Sequence, residues 1–236
     1  GPLLLSVTGT DGWLPFLAAG AILAGGAIPI LIVRRIVPRA SAAAAPPLSD
    51  ILGYVRRDAT PLAAVVLFGM IEFGAFALMP VWGLRLGLEE AVAIVLVAVL
   101  AFGNAVLQLP MGALIDRAPF RAVLAMGAVS AIVAGALLMG AWDIRAVLYA
   151  TLFLLGGVVV SLYLVPLAEL GRRYEGEALE RGMGAVMMAY GLGALLGPPL
   201  MGKAMDLVPP HGVMWLMIGA SVLFLLLLWA RWRRGA

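Results

Sequence analysis

The chain has 236 residues, of which 64% are hydrophobic and only 12% charged, and its formal net charge is +3. Soluble domains have about 25% charged residues, so this composition excludes a water-soluble protein and fits the lipid bilayer. The basic residues are spread along the chain, which argues against a nucleic-acid partner. With no cysteine and one histidine, neither a disulfide framework nor a thiolate or multi-histidine metal site is expected, and no cofactor is predicted.

Seven apolar stretches are long enough to cross a membrane. A span needs about 20 residues, because a helix rises about 1.5 Å per residue and the hydrocarbon layer is about 30 Å thick. Each span must be helical, because lipid offers no partner to backbone polar groups. The fold class is therefore an all-α polytopic membrane protein. The predicted spans are 13–33, 61–84, 91–115, 121–142, 146–168, 183–207 and 213–232.

The longest connection, 34–60, separates the first span from the other six. Its Ala/Pro-rich middle is typical of a linker. Ser49 can cap a short helix at 50–58, whose apolar residues can enter the membrane interface. The other connections are short, as antiparallel neighbours require.

The placement of basic residues predicts the orientation. If the first span ends in the cytoplasm, thirteen arginines lie inside and only Arg85, Arg145 and Lys203 lie outside. This bias follows the positive-inside rule. It predicts a multi-pass protein of the bacterial cytoplasmic (inner) membrane with its C-terminus inside.

The six tryptophans give a second, independent signal for the same orientation. All of them fall at predicted span ends, where aromatic side chains form interfacial belts. Trp13, Trp82, Trp142 and Trp215 mark the outer ends, and Trp229 and Trp232 mark the inner end of the last span.

An internal repeat relates 1–35 to 197–234. Both segments run from Gly-Pro through a short apolar stretch, a polar turn with an Asp, a Trp and an apolar span to Arg-Arg. In the second copy a whole helix precedes the turn, whereas in the first only the tip is present. This pattern is typical of a two-repeat transporter cut inside a helix. The alternative is that Gly1-Pro2 is a protease-cleavage scar.

Two motifs resemble those of the major facilitator superfamily. The segment "GALIDRAPFR" matches that family's loop G-x-x-x-D-R-x-G-R-R at Gly112, Asp116, Arg117 and Arg121, although Pro119-Phe120 replaces the usual pair. The second motif is similar to R-G…G-x-x-x-G-P-x-x-x-G in the fifth helix of a half. Its matching residues are Arg181, Gly182, Gly193, Gly197, Pro198 and Gly202.

The resemblance covers essentially the whole chain and implies its organisation. Residues 1–35 would be the tip of the fifth and the whole sixth helix of the first half. Residues 36–60 would be the cytoplasmic linker, and 61–236 a six-helix C-terminal half-bundle. The missing N-terminal half is then an implied partner, together with the lipid bilayer, protons and a small-molecule substrate.

The loop motif is expected to act as a cytoplasmic gate. Gly112 would let two helices approach, and Arg117 and Arg121 would anchor the turn. Asp116, an anion, can sit at a helix N-terminus, and the resemblance places that helix in the first half. The alternative is that Asp116 only caps and solvates the loop. Pro80, Pro166 and Pro198-Pro199 are expected to break or bend helices, and together with Gly193 and Gly197 they form the candidate hinge set for a rocking motion.

Glu72 is the sharpest functional candidate. It lies eleven residues from Pro61 and twelve from Leu84, near mid-membrane. A charge there costs about 2.5–3.5 kcal/mol on insertion scales and usually marks a cavity or a relay. A carboxyl group that can be charged or neutral suits proton coupling or cation binding, and the alternative is a structural hydrogen bond. Asn104 and Gln108 share one helical face, and with Tyr163 and Tyr190 they complete the candidate pathway.

Three functions are compatible with the predicted topology. The first is a secondary transporter, with export favoured because Gly1-Pro2 resembles the end of an antiporter motif. No G-x-x-x-x-G-K-[ST] pattern occurs, which argues against a built-in ATPase, and no enzymatic activity is expected. The second is a non-transporting scaffold or remnant. The third, a seven-helix receptor or photoreceptor, conflicts with the repeat and lacks a mid-membrane lysine in its last span.

The orientation makes a prediction that labelling can test. Arg117→Cys and Arg173→Cys should react only with impermeant thiol reagents applied from the cytoplasmic side, and Glu89→Cys only from outside, because the arginine bias and the tryptophan positions both require it. Labelling of any of these three from the opposite side would overturn the topology.

Overall fold

The computed structural model describes residues 13–33 and 59–233. The chain divides into two units, Gly1–Ala45 and Pro46–Ala236. The first unit contributes one described helix, α1 (Leu14–Val33), which contains no charged residue. The predicted helix at 50–58, nearly all of the predicted linker and the Gly1-Pro2 pair lie outside the described residues.

The second unit is built from helices throughout its described length, which confirms the all-α prediction. Six segments are long and apolar enough to cross a membrane, with α5 and α6 together forming one of them. The helices are α2 (Ala59–Arg85), α3 (Glu90–Ile115), α4 (Phe120–Gly140), α5 (Arg145–Val159), α6 (Ser161–Arg173), α7 (Gly176–Leu207) and α8 (Gly212–Arg233).

Most helix bounds lie within two residues of the predicted spans. The exceptions are α6, which continues to Arg173, and α7, which already begins at Gly176. Both extensions carry charged residues. Hydropathy measures the length of the apolar stretch, whereas a helix can continue into water with polar residues on its surface, so the sequence underestimated these two helices.

None of the named prolines ends its helix, whereas the bending and the hinge role expected of them stay predictions. Pro80 lies inside α2, and the Pro198-Pro199 pair lies inside α7. The fifth span is interrupted at Val160, six residues before Pro166. A proline removes one backbone hydrogen bond of its helix, and the bonds on either side keep these helices continuous.

Glycines allow the helices to approach closely. The most extensive packing joins α2 to α7, α3 to α5, and α4 to α8. A Cβ atom on Gly193 or Gly197 would overlap the α2 backbone, and one on Gly156 would overlap the carbonyl oxygen of Leu100 on α3. Small residues at such contacts are typical of membrane helices, because lipid provides no hydrophobic drive for association.

The role expected of Gly112 is wrong. A Cβ atom at this position would meet nothing within 4 Å among the described residues. The packing of α3 and α4, on either side of the loop, therefore does not require a glycine at position 112.

Five of the six tryptophan side chains are exposed or partly exposed and one is buried, and their assignment to the outer and inner membrane interfaces stays a prediction. Trp13, Trp215, Trp229 and Trp232 are exposed, as an interfacial belt requires, and Trp142 is partly buried. Trp82 is fully buried instead, in the core of the second unit. It lies near the end of α2, but its indole packs inside the protein rather than against lipid headgroups.

The glycine contacts predict a contrast in stability. Gly156→Ala should lower the free energy of unfolding by about 1–3 kcal/mol, because the added methyl group must push α5 away from α3. Gly112→Ala is the matched control and should be neutral or slightly stabilising, because the site is open and alanine favours helices. Thermal unfolding in detergent micelles measures both. Equal melting temperatures for the two variants would contradict the packing described here.

Candidate functional site

Glu72 forms the centre of a hydrogen-bonded cluster contributed by three helices. The hydroxyl group of Tyr190 on α7 donates to Glu72 Oε2 at 2.7 Å. The side-chain amide of Asn104 on α3 donates to Glu72 Oε1 at 3.1 Å. All three side chains are partly buried. Both carboxyl oxygens thus have a donor, as a polar group inside a membrane requires.

The glycine contacts between α2 and α7 set this geometry. Gly69 lies so close to α7 that a Cβ atom there would stand 2.6 Å from the carbonyl oxygen of Tyr190. Gly193, one turn along α7 from Tyr190, contacts the backbone at Val66. Because the two backbones touch, the Tyr190 hydroxyl reaches the carboxyl group of the neighbouring helix directly.

Aromatic rings surround the same carboxyl group. Phe68 stacks on Tyr163 with 5.5 Å between ring centroids and on Tyr190 with 6.0 Å. Tyr163 and Tyr190 are 5.5 Å apart, and Phe73 meets Tyr190 edge-on at 5.7 Å. Sequence reasoning missed both phenylalanines. The signal was present for Phe68, which lies four residues before Glu72 and therefore on the same helical face.

A small cleft opens beside Glu72 and Asn104. Its volume is about 20 Å³, and its walls come from α2, α3 and α5, including Phe68 and Gly156. This volume is enough for about one water molecule. The cluster therefore combines a carboxyl group, a phenol, an amide and room for water, which are groups that can hold and pass a proton. The ring faces also suit a cation, which aromatic quadrupoles attract.

Gln108 is not part of this cluster. It lies one turn further along α3 than Asn104 and its side chain is exposed. Gln108 lies on the same side of α3 as Asn104. The two hydrogen bonds to Glu72 nevertheless come from Asn104 and Tyr190.

The loop motif is engaged within this half. Asp116 accepts a hydrogen bond from the guanidinium group of Arg172, at the end of α6, at 3.1 Å. Arg117 is exposed, and Arg121 lies 5.7 Å from the ring centre of Phe120. The sequence did not identify Arg172 as the partner of Asp116. A contact between Asp116 and a helix of the first half stays a prediction.

The second motif divides into a charged start and a packed middle. Arg181 pairs with Glu177 one turn earlier at 3.2 Å, and Gly182 faces the side chain of Leu170. Gly193 and Gly197 contact α2, as described above, and Pro198 continues the helix. Gly202 is less tightly packed, because a Cβ atom at this position would lie 4.0 Å from the side chain of Leu78, an ordinary van der Waals distance.

At the opposite end of the unit, polar contacts join α2 to the end of α7 and to the turn that follows it. Arg85 binds Asp206 at 2.7 Å and the carbonyl oxygen of Met205 at 3.0 Å. The indole of Trp82 donates to Nδ1 of His211 at 3.4 Å. Burial lowers the pKa of His211, which favours the neutral ring that this bond needs. In the part of the chain that is described, no three His, Asp or Glu side chains are grouped to hold a metal ion.

These features define a polytopic membrane protein with a polar cluster between its helices. The family model described as Major Facilitator Superfamily matches residues 1–170 and 93–236. The chain belongs to this superfamily, which confirms the resemblance drawn from the loop and helix motifs. Membership points to a transporter rather than an enzyme.

Curated relatives support the same family. The chain is 26% identical over 209 residues to proteins named "Uncharacterized MFS-type transporter YcaD" from Salmonella typhimurium, Salmonella typhi and Salmonella paratyphi B. The match covers 89% of this chain and 53% of each relative, so the chain spans about half the length of these proteins. No solved structure gives a significant match.

The cluster predicts different roles for its two tyrosines. Tyr190→Phe should lower the free energy of unfolding by about 1–3 kcal/mol, because it removes the hydroxyl donor from a partly buried carboxyl group. Tyr163→Phe keeps the same stacked rings and removes a hydroxyl that does not donate to Glu72, so its loss should be smaller. Chemical or thermal unfolding in detergent compares them. A loss for Tyr163→Phe as large as that for Tyr190→Phe would refute this assignment.

Proposed function

We propose that the chain is the C-terminal part of a secondary active transporter that moves a small solute by alternating access and couples this movement to protons at Glu72. The observation that carries the proposal is the hydrogen-bonded contact of Glu72 with Asn104 and Tyr190 between membrane-spanning helices. An ionisable residue at this depth is expensive, and such residues mark ion and substrate pathways.

The proposed protein needs a second half to complete its pathway. The chain spans about half the length of its curated relatives, and its cluster joins helices of the half present here. In alternating access, two halves rock around a central site. We infer that an N-terminal half packs against this one and that solute binds between them. The similarity of Gly1-Pro2 to an antiporter motif favours export.

The loop motif would act as a cytoplasmic gate. Asp116 is 75% exposed and Arg172 48% exposed in their ion pair. Exposed ion pairs contribute only about 0–1 kcal/mol, so this contact can open at little cost and release Asp116 for another partner. In our proposal that partner is a helix N-terminus of the first half, bound in one of the two closed states.

A cationic solute is the second candidate role for Glu72. Phe68, Tyr163 and Tyr190 place three mutually contacting rings beside a carboxyl group, and this combination favours an organic cation. A scaffold without transport activity is the alternative, and it requires Glu72 to have only a structural role.

Substituting Glu72 separates these roles. In the full-length transporter in proteoliposomes, with the aromatic cation ethidium as the probe, Glu72→Gln should retain binding. Uptake driven by a pH gradient should fall about tenfold or more, because glutamine cannot carry the coupled proton. Exchange of labelled for unlabelled probe moves no net proton and should fall much less.

The control is Glu90→Gln, which makes the same change at an exposed carboxyl group at the start of α3, and it should behave as wild type. Loss of ethidium binding in Glu72→Gln would assign Glu72 to the solute instead of the proton. Wild-type behaviour in every assay would end the coupling proposal. Glu72→Leu would then be expected to lower stability by about 1–3 kcal/mol, because it strands two buried donors.

A further inference from the structure

A groove lies between the first turns of α4 and the last turns of α8, away from the Glu72 cluster. Its volume is about 550 Å³, within the range of about 300–1,000 Å³ that small-molecule sites occupy. Ala122 and Ala125 form the α4 wall, and their small side chains leave the space open. Leu228, Trp229 and Trp232 form much of the α8 wall.

The shape of the groove fits part of a lipid acyl chain. Its α8 wall runs from Leu225 to Trp232, which is about 10 Å along a helix axis and about one third of the hydrocarbon thickness. Both walls belong to membrane-spanning helices. Trp229 and Trp232 are exposed at the end of α8, as tryptophans at the headgroup level are. A molecule of the bilayer can therefore enter the groove from the side.

The basic side chains at the groove favour an anionic ligand. Among the described residues that line it, Arg121 carries the one charged side chain. The guanidinium group of Arg233 stacks on the ring of the lining residue Trp229, 3.9 Å from its centre, and adds a second cation beside the groove. A guanidinium group binds the oxygens of a phosphate through parallel N–H donors. Basic pockets between membrane helices bind anionic headgroups for this reason.

We propose that this groove binds an anionic phospholipid of the surrounding bilayer. The phosphodiester lies against Arg121, and the upper part of one acyl chain runs along Ala122 and Ala125 and the apolar residues of α8. This site is separate from the proposed transport pathway and does not depend on it. The lipid would connect α4 and α8, two of the helices that pack most extensively in this unit.

Photo-crosslinking tests the site in the full-length protein. The probes are phosphatidylglycerol and phosphatidylcholine, each with a diazirine on the upper acyl chain, in otherwise identical phosphatidylcholine nanodiscs. Peptide mass spectrometry locates the labelled residues. Labelling of 122–125 and 225–232 should be about fivefold stronger with phosphatidylglycerol, the preference expected for one basic side chain at an anionic lipid. Val133, exposed on α4, should show no headgroup preference and serves as the internal reference.

Three variants make the test specific. Arg121→Gln should strongly reduce the preference for phosphatidylglycerol, with any remaining preference due to Arg233 beside the groove. Arg117→Gln removes the same charge from the preceding loop, outside the groove, and should retain the preference. Ala125→Trp should fill the groove and reduce its labelling by both lipids. Unchanged labelling at Val133 and unchanged circular dichroism show that each variant is folded.

Several outcomes would overturn the proposal. Equal labelling by the two lipids in the wild type would show that the groove has no headgroup preference. An undiminished preference in Arg121→Gln would show that Arg121 does not bind the headgroup. Labelling at Val133 without labelling in the groove would mean that another occupant covers it, such as residues 34–58 of this chain or a second copy.

Discussion

The close contact between α2 and α7 is the constraint on which the rest of this half depends. Gly69, Gly193 and Gly197 let two backbones touch where most residues would hold them apart. This close contact between α2 and α7 has two consequences. The helices gain van der Waals contact, which drives association inside lipid, and Tyr190 comes within 2.7 Å of the carboxyl group of Glu72. A polar cluster inside a membrane needs satisfied donors and acceptors, and this contact supplies them.

The same contact determines which parts of the half can move. The backbones of α2 and α7 touch at several positions, so we expect these two helices to move as a pair. At the opposite end, Arg85 of α2 binds Asp206 of α7, and Trp82 of α2 contacts His211 in the turn that follows α7. By contrast, the connection of the loop motif to α6 is an exposed ion pair. The strong contacts hold the cluster, and the weak contact lies in the loop proposed as a gate.

The sequence predicted the membrane class, the six spans of the second unit and the central position of Glu72, because each follows from composition or from the period and length of apolar stretches. It also selected Asn104 and Tyr190, polar residues in apolar surroundings. It missed Phe68, although its position four residues before Glu72 indicated the shared helical face, and it could not identify Phe73 as a neighbour of Tyr190, because phenylalanine in a membrane span carries no distinguishing signal. The helix approach expected at Gly112, the interfacial exposure expected of Trp82 and the helix breaks expected at the prolines were not found, because each depends on the neighbours of the residue, which only the packed helices reveal. Arg172 was overlooked for the same reason, since its contact with Asp116 joins residues 56 positions apart.

The backbone at Val160, between α5 and α6, stays in the helical region (φ −58°, ψ −20°), and the fifth span runs from Arg145 to Arg173 as one membrane-crossing segment. One side chain of its α6 part, Tyr163, stacks on Phe68 beside the carboxyl cluster. Another, Arg172, holds Asp116 in the loop. Tyr163 is about 4.5 Å and Arg172 about 18 Å along a helix axis from Val160. A tilt of this segment about Val160 would therefore turn a small adjustment at the aromatic rings into a larger displacement at the ion pair of the loop.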